Sequence, residues 1–339
     1  MKKYKILTGI MTTGTPHLGN YIGAIKSAIK VSKNNNIKSF FFLADLHALI
    51  KLYDSYKINR SLLEISATLL ALGLNTKNTI FYRQLDVPEI TEIMWILSCV
   101  CAKGLMNRAH AYKAAVINNK NLKYYDIDNK INMGLYNYPI LMAADILLFN
   151  VNYVLVGIDQ IQHIEIARDI AIRFNYIYNE KCFLLPKALI NKNINLINGI
   201  DGQKMSKSYN NTIPIFCTEL ELKNYIRKIK TNSLAPGTPK NHNNCTLFEI
   251  FKAFANNNEI NYLKNCYYEG ISWIEIKILV FEYLNKILIE PRKKYNYLLN
   301  NPNYIQNLFK IGSEKARLEI APLVYRLRNV TGLGNFKKN

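Results

Sequence analysis

The chain has 339 residues, 49% hydrophobic and 20% charged, which is enough apolar content for a packed core and argues against a disordered class. Its 44 Lys and Arg against 24 Asp and Glu leave +20, an excess that points to a polyanion partner such as nucleic acid or reflects a coding bias toward Asn, Lys, Ile and Tyr. No stretch approaches the roughly 18 apolar residues of a membrane span, and the apolar run after the basic N-terminus is too short for a signal peptide, so a cytoplasmic location is expected.

In chain order, Ile6 to Ile10, Ser39 to Ala44, Thr79 to Tyr82 and Tyr153 to Val156 are apolar runs of strand length. Amphipathic stretches near 21–33, 58–73 and 88–102 lie between them. Strands alternating with helices predict an α/β fold, a Rossmann-like doubly wound parallel sheet whose ligands sit beyond the carboxyl ends of the strands. After about residue 209 the strand signals fade, and Glu219 to Lys230, Leu247 to Ala255, Ile260 to Tyr268, Trp273 to Ile289 and Pro302 to Arg328 carry helical patterns. Ser272 and Glu275 have capping-box spacing, and Gly270 suits the end of the helix before them. Leu234 to Pro239 is a turn-rich connector, and Asn34 to Asn36 and Asn256 to Asn258 read as polar loop tips. The expected organisation is a catalytic domain over 1–208 and a C-terminal, mostly α-helical domain over 209–339.

The six cysteines form no C-x-x-C pair, and His242 and Cys245 lack a second ligand pair, so neither a zinc ribbon nor a thioredoxin motif is expected, and scattered thiols fit a reducing cytosol.

Four segments carry chemistry. Gly14-Thr15-Pro16-His17-Leu18-Gly19-Asn20 follows the first strand and opens a helix. Its glycines admit a ligand close to the backbone, and a helix N-terminus offers N–H groups to phosphate. It is neither a Walker A loop nor a G-x-G-x-x-G fingerprint, and the alternative is a plain glycine-rich turn. Asp201-Gly202-Gln203-Lys204-Met205-Ser206-Lys207-Ser208 is either a solvated basic loop or a mobile loop whose two lysines converge on a polyphosphate. From Val156 to Asn175 a strand becomes a helix. Ile161, Ile164, Ile170, Ala171 and Phe174 recur as core, while Gly157, Asp159 and Gln160 sit at the strand end. Finally, Asp145 interrupts the apolar run Tyr138 to Leu148. A buried carboxylate needs a partner, either a core donor or a ligand N–H.

HLGN at 17–20, a variant of the HIGH signature with Asn in last place, and KMSKS at 204–208 resemble the paired signatures of class I aminoacyl-tRNA synthetases. The G-N-Y-x-G-A run from Gly19, Y-P-x-L-M-A-A-D-I-L from Tyr138 and G-x-D-Q-x-Q-H from Gly157 occur in the same order. Together they resemble the tryptophanyl-tRNA synthetase family over essentially the whole chain.

The resemblance implies activation of tryptophan with ATP to an adenylate plus pyrophosphate, then transfer to the terminal ribose of tRNA(Trp). It implies ATP contacts from Met11, Thr12, Thr13, His17, Gly19 and Asn20. Gly157, Ile158 and Asp159 would hold the adenosine, with Leu196 near the adenine. Lys204, Met205, Ser206, Lys207 and Ser208 would close on the phosphates, which carry most of the Mg²⁺ coordination. His17, Asn20, Lys204 and Lys207 are the implied catalytic set. Asp145 would accept the indole N–H, Tyr138 and Gln160 would hold the α-amino group, and Met142 and His47 would line the indole pocket, His47 having a core role as its alternative.

A homodimer bridged by tRNA is implied, with Trp95 to Met106 either in its interface or in the core. Lys223, Arg227, Lys228 and Lys230 would face RNA in an anticodon-binding domain, or form a solvated helix face. Met11 stands where many relatives carry Gln, Thr12 where many carry Pro, and Ala115 where some carry a phosphate-binding lysine beside the one matched by Lys113. The rivals are a tyrosyl-tRNA synthetase, a nucleotidyltransferase without KMSKS, and an RNA-binding paralogue with damaged motifs.

Overall fold

The computed structural model describes residues 4–190, 197–243 and 245–334. Five strands, β1 (Tyr4–Met11), β2 (Ile37–Ala44), β3 (Thr79–Arg83), β4 (Tyr153–Val156) and β5 (Lys187–Ile190), form one sheet in the order β3-β2-β1-β4-β5. Every neighbouring pair is parallel. This is the doubly wound arrangement, with its topological switch point between β1 and β4. There the pairing is short. It consists of Ile6 opposite Tyr153 and Leu7 opposite Val154, so Thr8 to Met11 and Leu155 onward part to make a crevice.

The sheet is covered on both faces, as its unbroken apolar strands require. In β2, Phe40 and Phe42 enter one core with Ile90, Ile140 and Ile164 from the helices Glu89–Val100, Met133–Leu147 and Ile161–Ile177. The alternate residues Phe41 and Leu43 enter the other, with Ile25 and with Ile65 of the helix Ser55–Ala71. Asp54 caps that last helix by accepting from Lys57 N–H at 3.0 Å, and Asn132 caps Met133–Leu147 by accepting from Leu135 N–H at 2.8 Å.

The sequence missed β5, a four-residue strand with no fully buried side chain and so no apolar run to detect. The first helix is also less regular than its pattern implies. Leu18–Asn20 passes into a π-helical turn, Tyr21–Ile25, before the α-helix Lys26–Ser32. Such turns gather at functional sites.

The C-terminal part is helical throughout its main elements: Glu219–Lys228, Thr246–Phe254, Asn257–Tyr268, Trp273–Asn300 and Pro302–Val330. The Ser272–Glu275 capping box forms, with Glu275 N–H on Ser272 Oγ at 3.2 Å and Ser272 N–H on Glu275 Oε2 at 3.0 Å. Gly270 ends the preceding helix at φ +86°, against Gly237 of the connector. The Asn256 to Asn258 loop tip is corrected. Asn256 accepts from Glu259 N–H at 3.1 Å, so this run starts a helix and does not end one. The helix from Trp273 continues through Pro291 to Asn300. The last helix returns to the sheet: Phe309 packs on Phe81 with centroids 5.1 Å apart, and Ala316, Ile320 and Val324 join the core around Phe40.

Candidate active site

Two adjoining cavities of about 440 and 600 Å³ share Ile10, Met11, Gly19, Asn20 and Gly23 as walls and make one cleft at the carboxyl end of the sheet. The smaller lies between the HLGN segment and the KMSKS loop, with Thr13, His17, Lys204, Met205, Ser206 and Lys207 in its wall. The larger runs down between β1 and β4 and is lined by His47, Tyr138, Met142, Asp145, Asp159 and Gln160, with Gly157 at its edge.

The two signatures lie far apart in sequence and are joined in space. Leu18 N–H donates to Ile213 O at 2.9 Å and Ile215 N–H to Pro16 O at 3.2 Å, which ties the HLGN segment to the chain just after KMSKS. Gly19 N–H points at Met205 Sδ, 3.3 Å away. Lys207 Nζ donates to the Thr13 carbonyl, directly over Gly14, whose φ of +73° suits a residue without Cβ. Asn20 Oδ1 accepts from His17 N–H at 3.0 Å, leaving the Asn20 amide NH₂ as a donor. The lysine loop is held from below by Asn211, which sequence reasoning missed. Its Oδ1 accepts from Ser206 N–H at 2.7 Å and its Nδ2 donates to Asp201 Oδ1 at 2.8 Å. A lone buried Asn beyond a motif gives no sequence signal.

Burial, reinforced by the charge of Lys207, lowers His17 to about 4, so its imidazole is neutral at pH 7. Its Nδ1 and the Thr12 hydroxyl are buried without a hydrogen-bond partner among the described residues. An unfolded His17 titrates near 6.5, so between about pH 4 and 6.5 the unfolded chain binds a proton that the folded chain refuses, and stability rises with pH across that window. His17→Gln removes this term. The stability gained between about pH 5 and pH 7, read from denaturant midpoints, should shrink by roughly 2 kcal/mol.

At the base of the larger cavity Asp145 is 0% exposed. His47 Nε2 shares a 3.0 Å hydrogen bond with its Oδ2, and Gln84 Nε2 donates to both oxygens at 2.9 Å. Burial raises the Asp145 carboxyl above the usual carboxylate range, and His47 and Gln84 pull it partly back. Of the two sequence alternatives, core donors are therefore present, and the carboxylate also faces the cavity. Gln84, from the turn after β3, is the second partner missed by sequence. Tyr138 edges onto His47 with centroids 6.2 Å apart, and its hydroxyl shares a 2.6 Å hydrogen bond with His163 Nε2. Gln160 Nε2 donates to Asp159 Oδ2 at 2.8 Å, and a Cβ on Gly157 would stand 2.5 Å from Asp159 Oδ1, so this glycine lets Asp159 fold back over the strand end. Lys51, exposed beyond His47, adds a third lysine to the cleft wall.

Some expected contacts stand apart. Thr12 is buried behind the wall, Ile158 is 71% exposed outside it, and Ser208 turns to Ser206, their Oγ atoms 2.8 Å apart. Lys113 lies on the helix His110–Asn121 and lines neither cavity. Leu196 falls outside the described residues. The segment Trp95 to Met106 divides: Ile96, Leu97 and Met106 are core, while Trp95 is 72% exposed.

Residues 1–289 match the family described as tRNA synthetases class I (W and Y). The chain belongs to this family. The tryptophan–tRNA ligase of Neisseria meningitidis serogroup A is 47% identical over 337 residues, 99% of this chain and 100% of that protein. That of Pseudomonas syringae pv. tomato is 48% identical over 336 residues, 98% of this chain and 74% of its own length. The crystal structure of the Campylobacter jejuni tryptophanyl-tRNA synthetase, complexed with ADP and tryptophan, superposes with a TM-score of 0.84 at 39% identity, covering 97% of this chain and 100% of that one. A tyrosyl-tRNA synthetase from Archaeoglobus fulgidus, at 20% identity and a TM-score of 0.63, shares the fold.

Proposed function

We propose that this chain activates L-tryptophan with ATP and transfers it to tRNA(Trp). The observation that carries the reading is a buried carboxylate, Asp145, at the base of a cleft whose mouth is built from HLGN and KMSKS. The substrate's own carboxylate oxygen attacks the α-phosphorus of ATP. A phosphorus–oxygen bond forms, the bond to the bridging oxygen breaks, and pyrophosphate leaves. The ribose hydroxyl of tRNA then attacks the acyl carbon, its proton is lost, and AMP departs. No protein nucleophile is needed, so catalysis is alignment and charge stabilisation.

The roles follow the cleft from mouth to base. Neutral His17 donates or accepts a hydrogen bond without adding charge, and Asn20 offers its amide to ATP. Lys204 and Lys207 stabilise the leaving pyrophosphate, with Met205 and Ser206 shaping the loop around them. Gly19 gives the phosphates close backbone approach, and Met11 and Thr13 border the nucleotide. Gly157 and Asp159 hold the ribose. Asp145 accepts the indole N–H while His47 and Gln84 keep its lone pairs aimed, and Met142 and His47 flank the ring. Tyr138, fixed by His163, and Gln160 bind the α-amino group. Among the described residues the acids lining the cleft are already engaged, Asp145 by His47 and Gln84, and Asp159 by Gln160. Magnesium fits as an ion carried in by the ATP phosphates.

Residues 209–339 form the tRNA-reading unit beside a catalytic unit over 1–208. Lys223, Arg227, Lys228 and Lys230, all exposed, support a phosphate-facing stripe. A homodimer is supported by exposed Trp95 and by Leu85, 56% exposed. Among the described residues no helix is long and apolar enough to cross a membrane, and we assign the work to the cytoplasm. The test is charging of tRNA(Trp) with labelled tryptophan, with tRNA(Tyr) and tyrosine as controls. Charging of tRNA(Trp) with tryptophan alone is expected, and charging with tyrosine would overturn the reading.

A further inference from the structure

Ser61 and Glu64 stand three residues apart on the helix Ser55–Ala71 and so share a face. That face meets the turn between β1 and the HLGN helix. Ser61 Oγ accepts from Gly14 N–H at 2.8 Å, and Glu64 Oε2 accepts from the Thr15 hydroxyl at 2.6 Å. Glu64 is 6% exposed, and its other oxygen accepts from Arg60 Nε at 2.8 Å. The ammonium of Lys207 sits over the same turn, on the Thr13 carbonyl. A buried carboxylate against a nucleotide-facing turn costs desolvation, which a structural anchor alone would not require, since a second hydroxyl like that of Ser61 would serve.

We propose that Glu64 is a positioning residue for adenylate formation, fixing the Gly14–Thr15 turn through the Thr15 hydroxyl and placing a negative charge against the same turn on which the Lys207 ammonium rests. This rests on the tryptophan-activating function proposed above. Protein packed around the Lys207 ammonium pulls its pKa below the usual lysine value, although the side chain is exposed overall, and Glu64 is the charge that opposes the shift. The other titratable groups here are His17, whose pKa the charge of Lys207 lowers, Lys204 in the same cavity wall, and Arg60 and Tyr295, which face Glu64 from its own helix and from Trp273–Asn300.

Glu64→Gln keeps the shape and an oxygen for Thr15 but removes the charge. Thr15→Val removes the hydroxyl bond and keeps the charge. Both are compared with wild type in tryptophan-dependent ATP–pyrophosphate exchange between about pH 6 and pH 10, with thermal melting alongside. Glu64→Gln should raise KM for ATP and move the alkaline limb of kcat/KM for ATP to lower pH, leaving KM for tryptophan unchanged, and Glu64→Asp should partly restore the limb. Thr15→Val should raise KM for ATP several-fold without moving the limb. An unshifted limb in Glu64→Gln, with a lower melting temperature as its sole change, would overturn the proposal. So would a limb that Thr15→Val moves equally. Absence of exchange in the wild type would instead overturn the proposed function.

Discussion

Asp145→Ala will reduce kcat/KM for tryptophan in ATP–pyrophosphate exchange by at least about a hundredfold while leaving KM for ATP within about twofold. The size follows from where the carboxylate sits. It is sealed at the base of the larger cavity and held by His47 and Gln84. Removing it deletes the acceptor proposed for the indole N–H and leaves His47 Nε2 and Gln84 Nε2 without their present partner. An unsatisfied buried donor costs about 1–3 kcal/mol, so stability falls as well. Asp145→Asn separates the two effects. It preserves volume and one acceptor oxygen but turns an NH₂ toward donors that already converge there, so tryptophan activation should remain poor while the melting temperature partly recovers. A variant that lost stability but kept wild-type KM for tryptophan would make Asp145 a core residue only.

The second large effect is at Lys207. Lys207→Ala should lower kcat for exchange by about 10²–10³-fold, with a smaller change in KM for ATP and almost none in stability. In the structure its ammonium rests on the Thr13 carbonyl, above Gly14. A backbone carbonyl is a weaker partner for a cation than a phosphate whose charge grows as the α-phosphorus–oxygen bond breaks. In the proposed role the lysine gains most in the transition state, and interactions that strengthen there raise kcat. Lys207→Arg keeps the charge but replaces a compact ammonium with a planar fork, and should recover only part of the rate. Equal losses in kcat/KM and in substrate affinity, with kcat intact, would show that the residue binds ATP without assisting its chemistry.

The parts legible in the sequence were those built by local pattern. Strands β1 to β4 are continuous apolar runs, and the helices after residue 209 announce themselves by spacing and by the Ser272–Glu275 box. Asp145 was visible because an acid in an apolar helix is expensive. Its partners were not, since Gln84 stands 61 residues away after β3, and only the packing of the folded chain brings it alongside the helix Met133–Leu147. Asn211 and Glu64 were invisible for the same reason, as each is an ordinary polar residue made important by what folds over it. Strand β5 escaped because its residues are half exposed, and the start of Asn257–Tyr268 was misplaced because an Asn run looks the same as a loop or as a cap.

The most direct test of the account is ATP–pyrophosphate exchange by the purified chain with tryptophan, with tyrosine and with no amino acid. Exchange with tryptophan alone is expected. Exchange with tyrosine, or none with tryptophan from folded protein, would contradict it.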